Sequence, residues 1–165
     1  MDKDLLTSVA AKLLAPAKGL LAADESTGTI TKRFEVVGLS SSPELNRKYR
    51  QMLFSTPGIE EFLGGVIMFD ETVRQKSDEG VAFPEYLSRR GIVPGIKVDE
   101  GREPFGEKEE VTKGLEGLSG RLTEYKSMGL AFTKWRAPIA INGAYPSEEM
   151  IGESARRMAE YALLS

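Results

Sequence analysis

The chain has 165 residues, 41% hydrophobic and 28% charged, with a net charge of −3, which supports one ordinary folded core. It contains no cysteine and no histidine, which removes disulfides, thiol nucleophiles, zinc–thiolate sites and the commonest general base. The slight acidity gives no global pull toward nucleic acid or anionic membranes, so any anion site must come from local clustering of cations.

In chain order, Leu5, Leu6, Val9, Leu13 and Leu14 recur at helical spacing until Pro16 interrupts, and "GLLAAD" (19–24) follows as a short apolar run ending in an acid. The start "MDKDLLTSVAAKLL" carries acids where a secretory leader is basic, and no apolar run reaches a membrane span. A cytoplasmic protein with no membrane and no nucleic-acid partner is the expectation. "ADESTGTITKR" sets Ser26, Thr27 and Thr29 around Gly28 with Lys32 and Arg33 one turn on. That composition suits either phosphate at a helix start or simple capping. Ser42 and Pro43 open a helix over "PELNRKYRQMLF", which leads into the apolar run "GGVIMFD" (64–70).

"FPEYLSRRG" and "LSGRLTEYKSMG" read as helices ended by glycine, flanking the runs "GIVPGIKVD" (91–99) and "LAFTKWRAP" (130–138). The stretch from roughly 100 to 114 is charged and is expected to be a surface loop. The tail is an amphipathic helix with its apolar stripe on Met150, Ile151, Ala155, Met158, Ala159, Ala162 and Leu163. Four apolar strands alternating with helices predict an α/β fold with a parallel sheet, with a doubly wound sheet and a β/α barrel both open.

Asp24, Asp70, Lys97 with Asp99, and Lys134 with Arg136 stand at the carboxyl ends of the four runs, the edge where parallel α/β proteins build their sites. Alternation along a strand sends Lys134 and Arg136 to one face, where two cations repel unless an anion offsets them. An arginine suits forked contact with phosphate, and a lysine supplies a point charge or a titratable amine.

The segments "GLLAADESTGTITKRF", "NRKYRQMLF", "GGVIMFDETVRQKSDEGVAFPEYL", "GIVPGIKVDEG" and "GLEGLSGRLTEYKSMGLAFTKWRAPIAI" together resemble class I fructose-bisphosphate aldolase, the Schiff-base enzyme of glycolysis and gluconeogenesis. The resemblance runs from about residue 18 to the end. It implies the parallel β/α units of a TIM barrel, first four strands only, so that residues 1–165 form a single amino-terminal half-barrel domain. It also implies reversible cleavage of fructose 1,6-bisphosphate to dihydroxyacetone phosphate and glyceraldehyde 3-phosphate, with no metal and no cofactor.

Residue by residue, the resemblance makes Asp24 the strand-1 aspartate beside the imine carbon and Lys134 a lysine assisting imine chemistry. Lys97 and Arg136 become active-site cations near the sugar and its distal phosphate. Ser26, Thr29 and Arg33 hold that phosphate, and Arg47 is a further substrate-binding position. The family's catalytic glutamates and imine-forming lysine lie on its fifth and sixth strands, beyond the helix that ends at Ser165. The chain is therefore expected to be inactive alone, and to act with a complementing carboxy-terminal half or as a homo-oligomer on a sugar bisphosphate. The alternative is an inactive phosphosugar-binding or interaction half-barrel.

Overall fold

The four apolar runs form the strands of one sheet, whose middle strands bury both faces. The computed structural model describes residues 2–165. Its elements are α1 (Lys3–Leu13), β1 (Gly19–Ala23), α2 (Thr27–Val36), α3 (Pro43–Phe54), α4 (Ile59–Phe62), β2 (Leu63–Met68), α5 (Asp70–Val73), α6 (Phe83–Arg89), β3 (Val93–Lys97), β4 (Arg102–Phe105), β5 (Glu109–Thr112), α7 (Leu118–Ser127), β6 (Phe132–Lys134) and α8 (Glu148–Leu164). Strands β1, β2, β3 and β6 lie side by side in that order and run parallel, as expected of βα units. The chain divides into two compact units, one comprising residues up to Lys97 with Lys126–Phe132, the other Val98–Tyr125 with Thr133–Ser165.

In the first unit, β2 is buried from Gly64 to Met68 and β3 from Val93 to Ile96. Gly64 lies against the end of α1: a Cβ there would stand 2.8 Å from the Lys12 carbonyl oxygen and 2.9 Å from that of Leu13. Gly95 clears space for the ring of Phe132, and Gly65 for that ring together with the side chains of Leu13 and Leu20. A side chain at either position would meet that ring, most severely at Gly95. Gly95→Ala is therefore expected to lower stability by about 1–3 kcal/mol through overpacking, read as a lower urea midpoint at constant slope. An unchanged midpoint would mean that the ring moves aside freely.

The helices start and stop where local chemistry directs. Ser42 Oγ accepts from the Leu45 N–H at 3.1 Å and Pro43 occupies the first turn of α3, while Gly91 and Gly129 follow α6 and α7 with positive φ. The buried face of α3 is Asn46, Arg50 and Phe54, spaced at i, i+4 and i+8. Phe54 meets Phe83 edge-on at 5.2 Å and Phe34 of α2 meets Tyr49 at 5.7 Å, so α3 is clamped by aromatic contacts.

Two expectations about the second unit need correction. The stretch from 100 to 114 is not an irregular loop. It is an antiparallel hairpin of β4 and β5, in register from Arg102–Thr112 to Phe105–Glu109. Its charges pair across the strands, as in the Arg102–Glu110 ion pair, and Val111 and Thr112 are buried, so high charge there does not mark a solvated loop. Of the apolar stripe expected on α8, only Met150 is buried. Ile151, Met158 and Leu163 are exposed, whereas Met150, Ser154, Arg157 and Tyr161 recur at helical spacing on the covered side. Arg157 reaches Glu103 at 2.6 Å and the Thr112 carbonyl at 2.9 Å, and Tyr161 stacks on Trp135 at 5.2 Å. Buried Met150 together with these polar anchors sets the covered face of the helix. Hydrogen bonds from Arg156 and then Arg157 pull the Glu153 carboxyl down to about 2, so the pairs that Glu153 makes within α8 persist to strongly acidic pH. Among the described residues, no helix is long and apolar enough to cross a membrane.

Candidate active site

Every strand of the parallel sheet ends in the residues singled out for chemistry. Asp24 follows β1 directly and is buried, Lys97 is the last residue of β3 and half-buried, and Lys134 is the last residue of β6. Asp70 differs from these: it opens α5 and forks with Arg74 at 2.9 and 3.1 Å, an exposed i,i+4 pair with a structural role.

The β1–α2 turn brings together three of the expected phosphate ligands. Ser26 is the N-cap residue of α2, yet its side chain does not cap the helix; its Oγ lies 3.1 Å from Thr29 Oγ1. Arg33, one turn beyond Thr29 on the same side of α2, pairs with Glu25. Two residues missed by sequence reasoning complete this cluster. Glu25 also accepts from Arg50 Nη1 at 2.6 Å, and Arg50 Nη2 donates to the Glu25 carbonyl at 3.3 Å. The signal that could have found Arg50 is its place on the buried stripe of α3, between Asn46 and Phe54.

Arg47 is committed elsewhere. Its guanidinium forks onto Glu44 at 2.9 and 3.0 Å, reaches Asp78 at 2.8 Å and donates to the Lys76 carbonyl at 3.3 Å. Those hydrogen bonds, Glu44 first and then Asp78, raise its pKa further, so the charge is permanent but occupied in fastening the 76–78 segment to α3.

In the second unit the backbone of the "KWR" segment is held on several sides. The Val98 N–H donates to the Lys134 carbonyl at 3.1 Å, the Arg136 N–H donates to Asp99 Oδ2 at 3.3 Å, and Thr112 Oγ1 donates to the Arg136 carbonyl at 2.7 Å. Asp99 also accepts from the Gly101 N–H at 3.4 Å. The buried carboxylate at the end of the third run thus serves as a backbone clamp, and the hairpin supplies its counterpart through Thr112. The Arg136 side chain is left exposed at a fixed point of the chain. Apart from this region, a cavity of about 350 Å³ in the first unit is lined by Thr27 of the β1–α2 turn and by Thr31, Glu35, Ser40, Asn46 and Glu71 among others.

The family model described as "Glycolytic", fructose-bisphosphate aldolase class-I, matches residues 5–165. The chain belongs to the class I fructose-bisphosphate aldolase family. A probable class 1 aldolase of Xanthomonas campestris is 46% identical over 166 residues, covering 99% of this chain and 50% of the relative. The fructose-bisphosphate aldolase of Drosophila melanogaster is 46% identical over 163 residues, 97% of this chain and 45% of its own. Among solved structures, Plasmodium falciparum aldolase, in a ternary complex with TRAP and a small-molecule inhibitor, superposes with a TM-score of 0.94 at 41% identity. That match covers 98% of this chain and 48% of the other. The chain thus spans about half the length of the aldolases it matches, and its four parallel strands correspond to half of an aldolase barrel.

Proposed function

We propose that this chain is the amino-terminal half-barrel domain, residues 1–165, of a cytoplasmic class I aldolase that reversibly cleaves fructose 1,6-bisphosphate through a Schiff base. What carries the reading is aldolase family membership together with Asp24, Lys97, Lys134 and Arg136 at the carboxyl ends of the strands. In this reading a lysine imine with the ketose carbonyl serves as the electron sink for breaking the bond between carbons three and four. Asp24 acts beside the reacting carbon, Lys134 supports imine formation by its charge and proton, and Lys97 and Arg136 bind the sugar and its distal phosphate. Ser26, Thr29 and Arg33 receive that phosphate at the start of α2. Arg47, which also holds the loop beyond α5, is a further substrate-binding position in this reading. The imine-forming lysine and the catalytic glutamates belong to the half of the family's barrel that this chain does not match, so a complementing polypeptide, or a second copy closing the sheet edges, is the implied partner.

The test is binding. Fructose 1,6-bisphosphate should bind the 165-residue chain weakly, and Arg136→Ala should cost about 1.5–3 kcal/mol, the worth of a charge-assisted hydrogen bond. Asp24→Asn should leave affinity unchanged or raise it, because the carboxylate repels phosphate. Calorimetry giving Arg136→Ala the wild-type affinity would remove that arginine from the site.

A further inference from the structure

The arrangement around Glu25 contains more than a phosphate-accepting turn requires. Its carboxylate, only 9% exposed, is shared between two guanidinium groups of opposite setting: Arg50, 2% exposed, and Arg33, 58% exposed. Arg50 engages both the carboxylate and the backbone carbonyl of Glu25, with its guanidinium 5.3 Å from the Tyr49 ring centroid. Its Nε is buried with no protein partner among the described residues. Arg33 touches Glu25 through a single guanidinium nitrogen, so most of its donors remain for a ligand.

We propose that Glu25 and Arg50 are positioning residues that set the phosphate affinity of Arg33, with the buried Arg50 neutralising the carboxylate that would otherwise hold Arg33 against an incoming phosphate. The proposal deepens the phosphate-binding reading above and rests on it. Its logic is charge arithmetic. Two guanidinium cations and one carboxylate give the triad a net +1. Remove Arg50 and the remaining Glu25–Arg33 pair is neutral, offering a phosphate no net attraction and a competitor for the arginine's donors. Remove the Glu25 charge and the net rises to +2. Remove both and it returns to +1. Arg50 is too deeply buried to touch the ligand, so its influence passes through Glu25. At separations of several ångströms, near a protein surface, one charge alters anion affinity measurably.

Calorimetric titration of the 165-residue chain with inorganic phosphate and with fructose 1,6-bisphosphate tests the order of affinities, circular dichroism confirming that each variant is folded. Glu25→Gln should tighten binding about threefold or more and Arg50→Met should weaken it about tenfold, on the scale of one nearby charge. The double variant should return to within about threefold of wild type. A purely structural salt bridge would not make one single variant bind more tightly than wild type. If either single variant fails to fold, Arg50→Lys and the double variant decide, since both keep the net charge and neither leaves an unpaired buried ion. Both must bind as wild type does, and a tenfold departure by either overturns the proposal. Equal affinity in all folded variants overturns it while leaving the phosphate site standing. A wild-type chain that binds neither ligand overturns both.

Discussion

Incubated with fructose 1,6-bisphosphate and borohydride, the 165-residue polypeptide is expected to release no triose phosphate and to retain no reduced ketose. In the proposed reading the chain supplies one carboxylate, Asp24, and a supporting lysine, Lys134, while nucleophile and acid–base glutamates belong to the unmatched half of the family's barrel. Class I chemistry needs all of these within hydrogen-bond reach at once. Well-placed groups reach effective molarities of roughly 10⁵–10⁸ M, so losing the nucleophile leaves a deficit of that order. A borohydride-trapped adduct on Lys134 would contradict this, because it would show that the "KWR" lysine forms the imine itself. Adding the complementing half should restore turnover.

Purified alone, the chain is also expected to sediment as a dimer or larger species. In the first unit, β1 ends the sheet with Leu20 about half exposed, and in the second the α8 stripe of Ile151, Met158 and Leu163 is uncovered, Leu163 at 81% exposure. An end strand presents unpaired backbone donors and acceptors as well as side chains. Fully covering large apolar side chains gains about 1.5–3 kcal/mol apiece, enough in combination to offset the entropy of association. Supplying the complementing half should compete with self-association, whereas a monodisperse monomer at high concentration, unfolding cooperatively, would show that these surfaces are stable in water.

The strands were legible as continuous apolar runs, and all four appear as β1, β2, β3 and β6 at their expected places, although only β2 and β3 are buried on both faces. Capping chemistry was legible from equally local patterns at Ser42, Pro43, Gly91 and Gly129. Features that depend on tertiary partners were not. The β4–β5 hairpin carries charges that find partners across the ladder, and their density concealed the alternation. On α3 the arginine adjoining the β1–α2 turn is Arg50, three positions from Arg47. What distinguishes the two is the location of Glu25 and Asp78, which no local pattern reveals. The apolar stripe of α8 foretold the burial of Met150 but not the covered side beyond it, where the long side chains of Arg157 and Tyr161 lie while Ile151, Met158 and Leu163 stay open.

The ring of Phe132 standing over Gly65 and Gly95 makes three strands share a single side chain's volume. Substitutions there are consequently order-dependent. A side chain at position 95 is gained without overpacking once position 132 has become smaller, and the reverse sequence passes through an overpacked intermediate. Remodelling on the β3 side of this layer therefore begins at Phe132, whereas at position 65 the first side chain met is Leu13 of α1.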